Sequence, residues 1–159
     1  MHPEEKLKEL GISLFTDIRP IGTYVPFSVS GNLIWISGQG PSEEGEYRRY
    51  FGKVGESISK EEAYAAARQT GINLISILKL ALGDLNRVKR IIHVRGYVSS
   101  TADFMEQPSV INGVSDLLTE VFGEAGKHSR CAVSVPSLPL GICVEAELVA
   151  KFEVEEEKS

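Results

Sequence analysis

Cysteine is scarce in this chain of 159 residues: Cys131 and Cys143 are the only two. With no spaced Cys/His cluster beside them, they supply neither a disulfide framework nor a zinc site. Long apolar runs are also missing, and none approaches the ~18 residues that a membrane-spanning helix needs. The opening MHPEEKLKEL is charged and polar, so no apolar leader is expected there. Positive charge is in deficit, with 17 Lys and Arg against 22 Asp and Glu and a net charge of −5. No global basic field therefore exists to gather phosphate backbones, and nucleic acid is an unfavoured partner. The run Gly38-Gln39-Gly40-Pro41 is not a phosphate loop, because no lysine or helix start follows at the right distance. These shortages predict a reduced, cytoplasmic protein with no membrane partner.

What is present fits one domain over residues 1–159, with 42% hydrophobic and 25% charged residues. A short helix is expected over 3–10, stopped by Gly11, and the acidic end is expected to fray from about 155. Two apolar stretches separated by Ser30, Gly31 and Asn32 read as a hairpin, with Ile34 and Ile36 on one face of its second strand and Leu33 and Trp35 on the other. A charged, glycine-rich loop follows. Ser59 and Glu62 then form a capping box, and Ala63, Ala66, Ala67, Leu74, Ile77, Leu78 and Ala81 recur at helical spacing up to Gly83. The stretch from Arg87 to Ser99 is a strand, with Val88, Ile92, Val94 and Val98 set against Lys89, His93, Arg95 and Tyr97. Pro108 opens a second helix striped by Val110, Val114, Leu117, Leu118 and Val121, and ended by Gly123 and Gly126. Two more strands complete an α+β layer fold.

Those last strands carry the chemistry. Read as a hairpin of 130–135 and 142–152, they have one parity of pairing that sets apolar against apolar. In that parity Arg130 faces Glu145, or Cys143 or Glu147 in the neighbouring registers. Arg130 and a glutamate then share the polar face, while Cys131 and Cys143 point apart and form no disulfide. Either the charges make an ordinary cross-strand ion pair, or Arg130 grips a carboxylate beside a water-orienting acid.

Several ordered elements resemble the reactive intermediate deaminase family, also called YjgF-like or endoribonuclease L-PSP-like. They are IGTYV, GNLIWISGQGP, VINGVSDLLTEVFG, SRCAVSV, then LP, then VEAELVA. The long YRRYFGKVGE stretch and LPLG are similar to a longer branch than the best-known deaminases. The resemblance implies a chorismate-mutase-like fold: a mixed β-sheet with two main helices on one face, assembled as a homotrimer with clefts between subunits. It also implies a hydrolase of reactive enamines and imines, giving 2-oxo acids and ammonia, with no metal or cofactor. Matched position by position, Arg130 is the carboxylate-gripping arginine and Glu145 the acid that positions water. Gly38, Tyr24 and Asn112 match substrate-binding positions. The family's cysteine, two residues after the arginine, is Ala132 here; it serves the site if only its backbone carbonyl is needed.

Three functions follow: an imine or enamine hydrolase, a non-catalytic binder of small carboxylate metabolites, or, least favoured, an RNA-cleaving protein. His93 reads as a solvated or interface residue. His128 shares the parity of Arg130 and is a proton-relay candidate at the cleft mouth. Tyr47-Arg48-Arg49-Tyr50 has the make-up of a base-stacking loop, but also of a surface or subunit-contact loop. With Trp35, it is expected to shape the cleft.

Overall fold

The computed structural model describes residues 1–155. Its elements are α1 (Pro3–Glu9), β1 (Phe27–Ser30), β2 (Leu33–Gln39), α2 (Lys60–Leu82), β3 (Val88–Ser99), α3 (Gln107–Phe122), β4 (Ser129–Val135) and β5 (Val144–Phe152). Beyond Glu155, the expected frayed end lies outside the described residues.

The five strands form one mixed sheet in the order β1-β2-β5-β3-β4. All neighbours are antiparallel except β3 and β4, which run parallel across the α3 connection. Helices α2 and α3 cover one face. Ile34, Ile36, Val94, Val98, Val144, Ala146, Leu148 and Ala150 project beneath them and are buried. The other face carries Trp35, His93, Arg95, Tyr97, Cys131, Val133, Glu145, Glu147 and Val149, all exposed or half-buried.

Local chemistry sets the boundaries of α2. The Ser59 hydroxyl accepts from the Glu62 N–H at 3.1 Å, and the Glu62 carboxylate accepts from the Ser59 N–H at 2.8 Å. Gly83, at φ 74°, stops the helix with its N–H on the Lys79 carbonyl. The two helices meet closely at Gly113, where any Cβ would run into the Tyr64 carbonyl and the Arg68 backbone nitrogen. Arg68 and Glu120 bridge them at the surface at 2.8 Å.

Two expectations need correcting. In β3, register shifts between Val88 and Arg90 and between Ile91 and His93 put Ile91 in the core and leave Ile92 half-buried. More consequentially, β4 and β5 are not a hairpin. β4 pairs with β3 (Arg130 with Val94, Ala132 with Gly96), and β3 separates it from β5. Spanning an intervening strand means covering roughly 10 Å between β4 and β5. Residues 136–143, with a 3-10 turn at Pro139–Gly141, are long enough for that, whereas a tight hairpin turn is not.

The separation turns Arg130 and Glu145 to different faces. Arg130 pairs with Val94, on the helix-covered side at the sheet edge. Glu145 pairs with Tyr97 and points to the open side. No cross-strand ion pair joins them. The open face instead pairs Arg95 with Glu147 at 2.9 Å, and Tyr97 also donates to Glu147 at 3.2 Å. Both cysteines are free: Cys131 is exposed, Cys143 is buried, and burial pushes the Cys143 thiol up to about 12.

Candidate active site

A cavity of about 650 Å³ opens where the end of β2 and the start of β5 meet three loops. Tyr24, Gly38 and Glu145 all line it. A bulge between Ile36 and Gln39, in which Ser37 and Gly38 oppose Glu147, re-aims β2 at this point. Gly38 then lies so near Glu145 that a Cβ would sit 2.8 Å from Oε1. With glycine there, the carboxylate occupies the space a side chain would take.

The turn after β2 is fixed from α2. The Asn73 side-chain amide donates to the carbonyls of Gly40 and Ser42, both at 2.9 Å, and Gln69 donates to the Ser42 carbonyl at 3.0 Å. Asn73 is buried, and its place amid the apolar GINLISIL was the signal that it holds backbone. The far wall comes from the charged loop. The Gly52 N–H donates to the Gly141 carbonyl and the Cys143 N–H to the Tyr50 carbonyl, each at 2.9 Å, joining that loop to the β4–β5 connection. Tyr47, Leu140 and Ile142 line the cavity as a result.

Glu145 is half-buried, and burial, followed by the negative charge of Glu147, pushes its carboxyl above the usual range. The arginine expected to keep it ionised is on the other face, and among the described residues nothing hydrogen-bonds or ion-pairs with it. Burial likewise raises the phenol of Tyr47, which feels the charges of Glu145 and Tyr24. An acid so placed, raised by burial and open to the cavity, is suited to hold a water and exchange a proton with it.

The remaining expected residues gather at the sheet edge. Arg130 Nη1 donates to Asn112 Oδ1 at 2.7 Å and to Ser115 Oγ at 3.1 Å, and Nη2 reaches the Pro108 carbonyl at 3.4 Å. Its Nε is unused among the described residues. Ala132 is half-buried on the same side of β4. Behind Arg130, His128 Nδ1 lies 2.6 Å from the Gly126 carbonyl, which only accepts. In the neutral ring the proton is therefore on Nδ1, and Nε2 accepts from the Ser115 hydroxyl at 2.9 Å. Ser115 thus donates to His128 and accepts from Arg130. So the six expected residues form two groups, Tyr24/Gly38/Glu145 and Arg130/Asn112/Ala132, which one chain does not bring together.

Other candidates resolve differently. Arg48 and Arg49 are paired with Glu46 at 3.0 Å and Glu43 at 2.6 Å, and Arg49 stacks 4.9 Å over Tyr50. Trp35 lies on the open sheet face, outside the cavity, and His93 there faces Ser129 Oγ at 2.8 Å. Among the described residues, His2, Glu4 and Asp84 are the one cluster with metal-type donors. Lys79 sits 2.7 Å from Glu4, and His2 lies 3.1 Å from Asp84, so the cluster anchors α1. No helix among them is long and apolar enough to cross a membrane.

Residues 4–152 match the family described as "YjgF/chorismate mutase-like, putative endoribonuclease". The chain belongs to the YjgF/chorismate mutase-like family. Protein TCP17 of Trypanosoma cruzi is 41% identical over 147 residues, covering 92% of this chain and 91% of that protein. The solved structure of Atu1372 from Agrobacterium tumefaciens, of unknown function, is 40% identical. It superposes with a TM-score of 0.88 over 95% of this chain and 92% of its own. A Shewanella oneidensis endoribonuclease-type structure is 36% identical, with a TM-score of 0.92 over 96% of this chain and all of its own.

Proposed function

We propose that this YjgF-like protein hydrolyses reactive enamine and imine intermediates of amino acids to 2-oxo acids and ammonia. It acts as a cytoplasmic homotrimer, in clefts between subunits. The observation carrying this reading is Glu145, a half-buried carboxylate with no partner among the described residues, lining a cavity beside Gly38. Such a group is costly to the fold, which fits a group kept for a ligand or a water. The complementary half supports the reading too. Arg130 is braced by Asn112 and Ser115, with Nε left over, on an edge strand whose outer backbone groups are open to a neighbour. Because the two halves face opposite sides of one sheet, the proposed site takes Glu145 from one subunit and Arg130 from the next.

In this mechanism the imine's carboxylate lies on the Arg130 guanidinium, whose planar fork suits it. Glu145 holds a water and accepts its proton as the oxygen bonds to the C=N carbon. The imine nitrogen, protonated from solvent before attack, then takes the proton held by Glu145; as the C–N bond breaks and ammonia leaves, the carbinolamine hydroxyl gives its proton to Glu145 and becomes C=O, and Glu145 returns that proton to solvent. Orientation supplies much of the effect because the substrate is already reactive. A second reading, non-catalytic binding of small carboxylates, is favoured by Ala132, which offers no thiol to the site.

An amino-acid-oxidase-coupled assay, following imine loss with and without the protein, separates the two. Acceleration is expected. It should be abolished in Arg130→Ala together with carboxylate binding, and slowed in Glu145→Gln with binding retained. Imine loss at the uncatalysed rate in the presence of correctly folded wild-type protein overturns hydrolysis.

A further inference from the structure

Glu145 and Arg130 deal with the imine and its carboxylate, but most of the cavity touches neither. Its 650 Å³ lies within the range of pockets that enclose drug-sized ligands, and an imine with a methyl or ethyl side chain leaves most of it empty. The wall is largely apolar: Phe15, Ile18, Tyr24, Tyr47, Leu140 and Ile142. Charges stand at the rim and are mostly satisfied, Arg19 by Asp17 at 3.2 Å and Glu46 by Arg48 at 3.0 Å. Tyr47 and Ile142 pack so tightly on Gly40 that a Cβ there would meet their side chains at 2.8 and 2.6 Å. That part of the wall is built rather than collapsed.

Leu140 is the telling residue. Its backbone is left-handed, at φ 61°, and its side chain is 56% exposed. A leucine is strained in that conformation and gains nothing from solvent. Tyr24 and Ile21, 49% and 66% exposed, line the same cavity. Exposed apolar groups gathered at a concavity mark a binding surface.

We propose that the site selects 2-imino acids bearing a large apolar side chain, branched aliphatic or aromatic, lodged against Leu140, Ile142 and Tyr47. This rests on the reading above and names its substrate class. Each added methylene in such a pocket is worth about tenfold or more in discrimination.

The test uses wild-type protein and Leu140→Gly, a variant that suits the left-handed backbone and so keeps the fold. Calorimetric titration compares pyruvate and 2-oxobutanoate with 4-methyl-2-oxopentanoate and phenylpyruvate. Oxidase-generated imines of alanine, leucine and phenylalanine are compared for turnover. The large oxo acids are expected to bind at least about tenfold more tightly, and Leu140→Gly to cut that preference at least about threefold. Equal or weaker binding of the large ligands overturns the inference and leaves the apolar wall to contact between subunits. A preference unchanged in Leu140→Gly overturns the lodging of the side chain against this wall. If imines are hydrolysed without size preference, this inference alone fails. If large oxo acids bind preferentially yet no imine turns over, hydrolysis alone fails. If nothing binds or turns over, both fall.

Discussion

Replacing Gly38 by alanine should separate catalysis from folding. Gly38 is in β2 with no positive φ, so its backbone accepts alanine. The new methyl would sit 2.8 Å from Glu145 Oε1 and 3.2 Å from its Cδ, about 0.6 Å inside ordinary contact. What yields is the far end of a flexible side chain that has no partner among the described residues. Turning Glu145 off its rotamer costs about 0.5–1.5 kcal/mol. Losing glycine's freedom in the unfolded chain returns about 0.4–1 kcal/mol. Stability should therefore change by no more than about 1 kcal/mol, or roughly 2–4 °C in Tm for a chain of 159 residues. Turnover is far more sensitive: a displacement near 1 Å costs about a hundredfold, so a loss of at least about tenfold is expected, mainly in kcat. Thermal unfolding and the imine assay on the same preparation check both halves. Turnover within about threefold of wild type would refute the positioning role of Glu145. A Tm drop beyond about 8 °C would show instead that Gly38 serves the fold.

Ser115→Ala removes the hydroxyl between His128 and Arg130, and should weaken oxo-acid binding by about five- to tenfold, in line with the ~1 kcal/mol of one hydrogen bond, by calorimetry. Burial, then the nearby charges of Arg130 and His93, hold the His128 ring below its ordinary 6.5. The unfolded chain therefore binds more protons, so the stability from the neutral ring is complete above pH 6.5 and is lost as pH falls through the lower folded value. His128→Gln should flatten the Tm profile on the acid side of pH 6.5, and an unchanged slope there would refute it. Glu145, raised by burial, has the opposite sign: its stability is complete below the ordinary 4.5 and is lost as pH rises through the folded value. Glu145→Gln should remove that loss. Ser59→Ala should lower stability by about 1 kcal/mol, read as a Tm fall of about 2–4 °C.

Helices were legible because their signals are local. The Ser59–Glu62 box and Pro108 near the start of α3 need no knowledge of the rest of the chain. Strand faces were nearly as legible, since alternation fixes which residues of β2 and β5 go inward; β3 escaped only where its bulges exchanged Ile91 for Ile92. Partner choice was not legible. Parity says which residues face each other if two strands pair, but carries no information on whether they do. On the helix-covered side β4 offers Arg130, Ala132 and Ser134, whereas β5 offers Val144, Ala146, Leu148 and Ala150. That difference in inner-face content is the physical reason β5 takes the centre beside β3 and β2 while β4 is left outside.

The same limit governs the site. A spacing of fifteen positions drew Arg130 and Glu145 together on paper, and one intervening strand sends them to opposite faces. Yet each comes with its own support: Gly38 and the bulge for Glu145, Asn112 and Ser115 for Arg130. A residue kept merely as half of an intrachain ion pair would need no such bracing, and would lose its reason once the pair was broken. Two separated charges, one given room beside Gly38 and the other braced by Asn112 and Ser115, are better explained by a third body that meets both, and in the proposed assembly that body is a substrate bound between one chain's β5 and its neighbour's β4. A mixture of Arg130→Ala and Glu145→Gln subunits tests this directly. If sites are shared between chains, co-assembly should restore some sites with both groups intact, and with them turnover above that of either variant alone. Turnover no greater than that of the separate variants, in trimers shown to be mixed, would place both groups' work within one chain and refute the shared cleft.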